Sequence, residues 1–504
     1  MDGITTPVLA LRGTQAERVR RIPSISSVTI LGGCLLIIFG AKIWLISKYG
    51  SATPFWDQWD AEADRLYKPY LDGTLHFRSL FDADNEHRIL FSRLLSLGLL
   101  LLERRWDPLL QMVVNAGLHV AAIGVLLVMV TRKIRVHSAA AVAIFTAVVL
   151  AIPYAWENTL QAIQSLIYFN FLFVFLAVWL HSHSPAWSPL WICATASAVA
   201  SYFNLSSGAL TPLVLCVISI FQITLGSRKG GYREWTGIAA QSTLSLIMIL
   251  FIPHLLGGDP HVAHSIKQFL SAFLKAAAWP LTPVLAVVLH APMIVLAASL
   301  IKERPYLRDN RWILFGLWIW LGLQFASLAY GRALVPTSSR YLDSFLVGLI
   351  LNFTALLHLL RDRPRLCVSF LASAWLLVIS IGLVRDAIHN TVPAVAEKHR
   401  INDVETRNVR EYLTTGNFDF LNGKPRLEIP YPDANRLRMW LDTPEIRAIL
   451  PPTLVEHGAP PRPFVVSLRD LILVYGPFLI VVGIVLSSFG ISFLRREVVT
   501  AAGK

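Results

Sequence analysis

Charge and cysteine are both scarce in this chain of 504 residues. Only 15% of the residues are Asp, Glu, Lys or Arg, against 55% hydrophobic, and the mean hydropathy is +0.55. That balance excludes an ordinary soluble globular protein, whose charged share is much higher. The four cysteines, Cys34, Cys193, Cys216 and Cys367, lie in or beside apolar runs, so neither a disulfide framework nor a zinc site is expected. No cleavage-type pattern ends the basic stretch 1–22, so the first apolar run reads as a retained anchor rather than a signal peptide. No internal repeat pairs the two halves of the chain.

What is present is a series of apolar runs long enough to cross a bilayer, which needs about 20 residues as helix. They fall at 28–48, 108–131, 138–155, 163–181, 190–205, 208–225, 236–254, 280–301, 311–330, 341–360, 366–385 and 469–494. The expected fold is an all-α polytopic membrane protein of about 12 transmembrane helices. The run 89–102 is too short to cross and reads as an interfacial helix.

Lys and Arg give the orientation. Arg12, Arg18, Arg20 and Arg21 precede the first run, and Arg132, Lys133 and Arg135 follow the second. Arg228, Lys229 and Arg233, then Lys302, Arg304, Arg308 and Arg311, then Arg361, Arg363 and Arg365, and last Arg495 and Arg496 fall on the same side. Basic loops mark the cytoplasm. The net charge of +13 is therefore a topology signal, and nucleic acid is not an expected partner.

The chain then divides into a cytoplasmic tail 1–27, a membrane module 28–385 with a large outer loop 49–107, an outer module 386–468 of α+β or helical type, and a last span and tail 469–504.

The polar residues of interest gather in the outer segments. Asp57, Asp60 and Asp64 are spaced i, i+3 and i+7, which on an α-helix puts three carboxylates on one face. Glu62, Asp64, Asp72 and Asp82 read as a solvated acidic surface. Asn85-Glu86-His87-Arg88 opens the interfacial helix. Glu157, Gln161, Gln164 and Tyr168, with Asn158, form a polar stripe that enters the membrane and serves as cavity lining or interhelical glue. Arg332, Arg340 and Tyr341 flank the ninth and tenth spans on the outer side. Arginine suits phosphate there because its planar fork binds two oxygens at once. Lys42 lies near enough to a span end to snorkel to the interface, while Arg332 and Asp343 sit at helix ends.

An acidic motif just after the first span, juxtamembrane helices in a large first loop, a Ser339-Arg340-Tyr341 segment before a late span and an outer C-terminal region together resemble the GT-C superfamily of membrane glycosyltransferases. The resemblance implies an inverting transfer of sugar from a polyprenyl-phosphate donor to a glycan, lipid or protein acceptor. It places the reaction on the periplasmic side of a bacterial inner membrane, in cell-envelope polysaccharide assembly. Family members carry two acids close together in the first loop; here Asp57-Gln58 is followed by Asp60, so either Asp60 replaces the second acid or Asp57 acts alone.

The catalytic candidates are Asp57, Asp60 and Glu86. The substrate-binding candidates are His87, Arg88, Glu157, Asn158, Gln161, Gln164, Arg332, Arg340 and Tyr341. Asp57 and Asp60 could also hold a divalent metal, Mg or Mn, although arginines could suffice for the phosphate. A polysaccharide polymerase or ligase of related fold is the nearest alternative, and a secondary transporter the more distant one.

Overall fold

The computed structural model describes residues 25–132, 134–253, 261–362, 366–455, 460 and 462–502. The basic residues Arg12, Arg18, Arg20, Arg21, Lys133, Arg363 and Arg365 lie outside them. Among the described residues the chain is helical, and the one β feature is an isolated antiparallel bridge between Asp84 and His87. Among the described residues nine helices are long and apolar enough to span a membrane: Ile25–Tyr49, Pro108–Thr131, Ala162–Ser182, Ser206–Thr224, Pro283–Glu303, Arg311–Gly331, Ser339–Leu360, Val368–Thr415 and Phe478–Arg496. This is a polytopic helical membrane protein.

The other three expected spans are helices of a lesser kind. Val136–Ala151 has 16 residues and is stopped where Ile152 turns extended before Pro153. Pro189–Tyr202 has 14, set by the Ser188 cap at its start. Tyr232–Leu250 reaches 19 residues but carries Arg233 and Glu234 in its first turn and buries Gln241 and Ser245. The Arg228 expected in an open basic loop is instead buried, donating to Glu234, Gln222 and the carbonyls of His181 and Ser184.

Glycine spacing brings the first and last spans into contact. Gly476, Gly483 and Gly490 recur every seven residues on one stripe, facing Gly33 and Gly40. A Cβ on Gly483 would lie 2.5 Å from the Gly33 carbonyl oxygen, and one on Gly33 would lie 2.7 Å from the Gly483 carbonyl oxygen. Backbones packed this closely gain dispersion that lipid cannot supply, which is how small residues bind helices in bilayers. Gly483→Leu is expected to force the pair apart and destabilise by about 1–3 kcal/mol. A melt in detergent reads this as a lower midpoint, with Gly32→Leu, at a site open to 4 Å, as the unaffected control.

The interfacial helix is Leu90–Glu103, 14 residues long. Its polar residues Ser92, Arg93, Ser96 and Glu103 turn inward, while Leu94, Leu101 and Leu102 are exposed. An exposed apolar edge on a short helix fits a position at the lipid boundary.

At the boundary of the outer module 386–468 the helix continues: Leu366–Asp386 runs through a π-helical segment, Ala387–Thr391, directly into Val392–Thr415. The following segment is helical, with Ala434–Asp442 and Pro444–Ile449, and it docks on the first loop. Trp59 lies 5.1 Å edge-on from Trp106 and is stacked at 6.0 Å on Trp440, and the Trp106 N–H donates to the Ile449 carbonyl at 2.8 Å. The first loop and the late segment thus share one core. Cysteines placed at positions 72 and 420 in a background without native thiols are expected to label from the same side of the membrane. Opposite labelling would break this shared body.

Candidate active site at the mouth of the helix bundle

Asp57 is aimed by a strained turn. Trp56, immediately before it, has φ +49°, a region that bulky residues rarely enter. The late segment pins the turn: the Trp56 N–H donates to the Pro430 carbonyl at 2.8 Å, and the Arg426 guanidinium lies 4.5 Å over the Trp56 ring. Asn85, immediately before Glu86, is likewise left-handed at φ +50°. Two of the three catalytic candidates therefore follow a left-handed residue, and such strain persists only where surrounding contacts enforce it. Trp56→Gly should remove the conformational cost, whereas Trp56→Val should be the less stable of the two by about 1–3 kcal/mol. Equal denaturation midpoints would show that the turn relaxes freely.

After the turn the backbone widens into a nine-residue π-helix, Trp59–Tyr67, closed by the Lys68 N–H donating to the Ala63 carbonyl. Of the three aspartates expected on one face, Asp60 and Asp64 lie within this π-helix and Asp57 before it. Asp60 and Asp64 both meet Arg436, at 2.5 and 3.7 Å, and Asp60 accepts the Tyr431 hydroxyl at 2.9 Å. Asp57 feels the charges of Arg340, Asp60, Glu86 and Arg332. Glu62, expected at a solvated surface, is buried at 2% exposure. Four donors surround it: Gln58 Nε2 at 2.8 Å, Trp106 Nε1 at 2.9 Å, Ser96 Oγ at 2.6 Å and Gln111 Nε2 at 2.9 Å. Burial pushes its pKa up against these hydrogen bonds. It ties the first loop to the interfacial helix and to Pro108–Thr131, a structural task no local spacing reveals.

Around Asp57 the other candidates converge from distant parts of the chain. Glu86 is ion-paired with Arg332 and lies 3.7 Å from His87 Nε2. Burial opposes ionisation of Glu86, but the charges of His87 and Arg332 outweigh it and hold the pKa below the usual value. His87 Nδ1 accepts the Ser206 N–H at 3.2 Å, leaving Nε2 toward Glu86, and burial holds the imidazole pKa down. Asp84, bridged to His87 through the backbone, sits behind them with its pKa raised to about 6, chiefly by burial. Arg88 turns away, donating to the Phe81 carbonyl at 2.9 Å and the Tyr202 hydroxyl at 3.3 Å, a local tether.

Glu157 builds the opposite wall. Its Oε2 accepts from Ser338 Oγ at 3.1 Å, from Ser339 Oγ and from the Arg340 N–H at 3.1 Å, and its Oε1 meets Arg340 Nη2 at 3.4 Å. One carboxylate thereby folds the 3₁₀ turn Ser339–Tyr341 and orients the Arg340 guanidinium, with Tyr341 beside both Arg340 and Arg332. Asn158 completes the turn by donating to the Arg340 carbonyl at 2.9 Å and to Asp343 Oδ2 at 2.8 Å. The expected continuous stripe from Glu157 to Tyr168 is broken. Gln161 is extended at φ −116°, ψ 118°, separating Trp156–Leu160 from the helix that begins at Ser165. Gln164 bonds to Gln161 at 3.0 Å, and the Tyr168 hydroxyl donates to the Asn158 carbonyl at 3.1 Å.

Beneath this turn lies an ionic group that the sequence reading assigned to the interface. Lys42 does not snorkel: it is 6% exposed, donates to Thr159 Oγ1 at 3.0 Å and shares with Asp343 a cavity of about 10 Å³, roughly the room of one water. Asp343, 2% exposed, also faces His119 Nε2 at 3.8 Å. A carboxylate three residues after Arg340, and a lysine inside an otherwise apolar run, were the available signals.

Among the described residues no group of three or more His, Cys, Asp or Glu side chains is placed to hold a metal ion. Asp60 is already balanced by Arg436 and Tyr431, so the Asp57 and Asp60 pair makes a poor donor set for Mg or Mn. No described residue donates a hydrogen bond to Asp57. Its pKa is raised, first by burial and further by Asp60 and Glu86, with Arg340 and Arg332 opposing. The arrangement offers one carboxylate free to accept a proton, beside two guanidinium groups able to receive an anion. The chain matches no family model, no curated protein and no solved structure.

Proposed function

We propose that the protein is a membrane glycosyltransferase of GT-C type, moving a sugar from a polyprenyl-phosphate donor to an extracytoplasmic acceptor. The observation that carries this reading is the convergence of Asp57, Glu86, Arg332, Arg340 and Glu157 at one mouth of the bundle, from three widely separated chain segments. Asp57 takes the proton of an acceptor hydroxyl, which attacks the anomeric carbon. The leaving phosphate gains negative charge, and Arg340 with Arg332 stabilises it through donors already in place. Glu157 holds Arg340, and Glu86 holds Arg332, so the guanidinium groups need no reorganisation when the charge develops.

The test is transfer of radiolabel from polyprenyl-phosphate hexose and pentose donors to cell-envelope glycan fractions by purified protein, with Asp57→Asn as the control. No transfer from any donor, or equal transfer by the variant, would overturn the reading. Movement of a whole oligomer rather than one sugar would mark a polymerase or ligase instead.

The buried Lys42, Asp343 and His119 favour a second reading, because ionisable groups inside a bundle are typical of ion-coupled transport. Proton-coupled sugar uptake into proteoliposomes, abolished by Lys42→Met and accompanied by no glycosyl transfer, would decide for the transporter.

A further inference from the structure

A cleft of about 290 Å³ opens beside the Ser338 and Ser339 turn, on the side bounded by the long helix that enters the late segment. Trp156, Glu157, Ser338, Ser339, Asp386 and Asn390 line it. Asn390 belongs to the second π-helical segment, Ala387–Thr391. The extra residue in its turn folds Asn390 and Thr391 back on Asp386, whose Oδ1 accepts Asn390 Nδ2 at 2.8 Å and whose Oδ2 accepts Thr391 Oγ1 at 3.3 Å. Trp279 Nε1 anchors Asp386 from behind at 3.2 Å. Interruptions of this kind in a helix often mark functional positions.

The chemistry of the lining selects its guest. The hydroxyls of Ser338 and Ser339 spend their protons on Glu157, so toward the cleft they can only accept. Carboxylate oxygens of Asp386 and Glu157 also only accept. An indole stands at the edge, with an apolar face. A ligand rich in hydroxyl donors, with an apolar face of ring C–H groups, meets both features, whereas a phosphate would face the carboxylates of Asp386 and Glu157 with only the Trp156 and Asn390 N–H groups as donors and no cation among the described lining residues. We infer that this cleft is a binding site for a sugar ring, separate from the Asp57 cluster and joined to it through Glu157. The identity of the ring as donor or acceptor sugar rests on the transferase reading; the binding itself does not.

Saturation-transfer NMR tests it, on the full chain in amphipol free of glycoside detergent, with glucose, galactose, mannose, arabinose and N-acetylglucosamine as probes. At least one sugar is expected to receive saturation from the wild type, and Ala394→Phe, which plugs the cleft, is expected to abolish the signal. Asn390→Ala should weaken it by about tenfold or less, the size of one lost neutral hydrogen bond. If Ala394→Phe does not yield monodisperse protein, Asn390→Leu supplies the same block. No signal with any sugar, or equal signals in wild type and plugged variant, would overturn the site. Where turnover is measurable, a rise in the donor KM alone on plugging assigns the ring to the donor, and a rise in the acceptor KM alone assigns it to the acceptor. Sugar binding without any transfer would leave the cleft standing and remove the transferase reading. Transfer with no sugar signal, or with equal signals in wild type and Ala394→Phe, would do the reverse.

Discussion

Asp57→Asn is expected to lower turnover by about 10²–10⁴-fold, the usual worth of a general base, while donor binding and monodispersity persist. The same experiment run against pH carries a sign. The base works ionised, so activity falls as pH drops through its pKa, and burial places that limb above the ordinary aspartate range. Arg340 favours the ionised form, so Arg340→Ala should move the limb to still higher pH; Glu86 disfavours it, so Glu86→Gln should move the limb down. Asp60 disfavours it too, so Asp60→Asn should also move the limb down, and because Arg436 and Tyr431 hold Asp60, its loss should loosen the docking of the late segment as well. A limb unmoved by both Arg340→Ala and Glu86→Gln would take the base away from Asp57.

Arg340→Lys is expected to weaken polyprenyl-phosphate binding about ten- to hundredfold, corresponding to ~1.5–3 kcal/mol for a lost hydrogen bond to a charged group, and Arg340→Ala to weaken it further. Lysine keeps the charge but not the fork, and it cannot reproduce the contact with Glu157 while also reaching a phosphate. Arg332 is already engaged by Glu86, so its single substitution should cost less, and the double variant should exceed either. Donor affinity unchanged in the double variant, measured by titration of a fluorescent polyprenyl phosphate, would remove the phosphate site from this turn.

The helical, membrane-embedded character was legible because apolar runs of spanning length have no other economical explanation in a chain with so few charges. For the same reason the rare polar residues at run ends, Asp57, Glu86, Glu157, Arg332 and Arg340, stood out, and the structure brings them together. What stayed hidden depends on contacts between distant segments. Glu62 looked like its exposed neighbours because its four hydrogen-bond donors come from Gln58, Ser96, Trp106 and Gln111, only one of them local. The three aspartates look alike at α-helical spacing, but Asp57 precedes the π-helix that carries Asp60 and Asp64. Lys42 and Asp343 each lie near a span end in the sequence, and only the fold shows them lining one cavity inside the bundle.

The continuous helical run Val368–Thr415, π-helical turn included, has 48 residues, and at roughly 1.5 Å rise per residue it reaches about 70 Å, more than twice the ~30 Å of a bilayer's hydrocarbon core. Its midpoint carries Asp386 and Asn390, and its far end carries the late segment that pins the Trp56 turn. One rod therefore fixes the depth of the cleft and the aim of Asp57 together. Because tilting is one way a helix answers a change in hydrocarbon thickness, the membrane itself becomes a parameter of the site: a bilayer that tilts the rod moves the Asp386 cleft and the Trp56 turn with it.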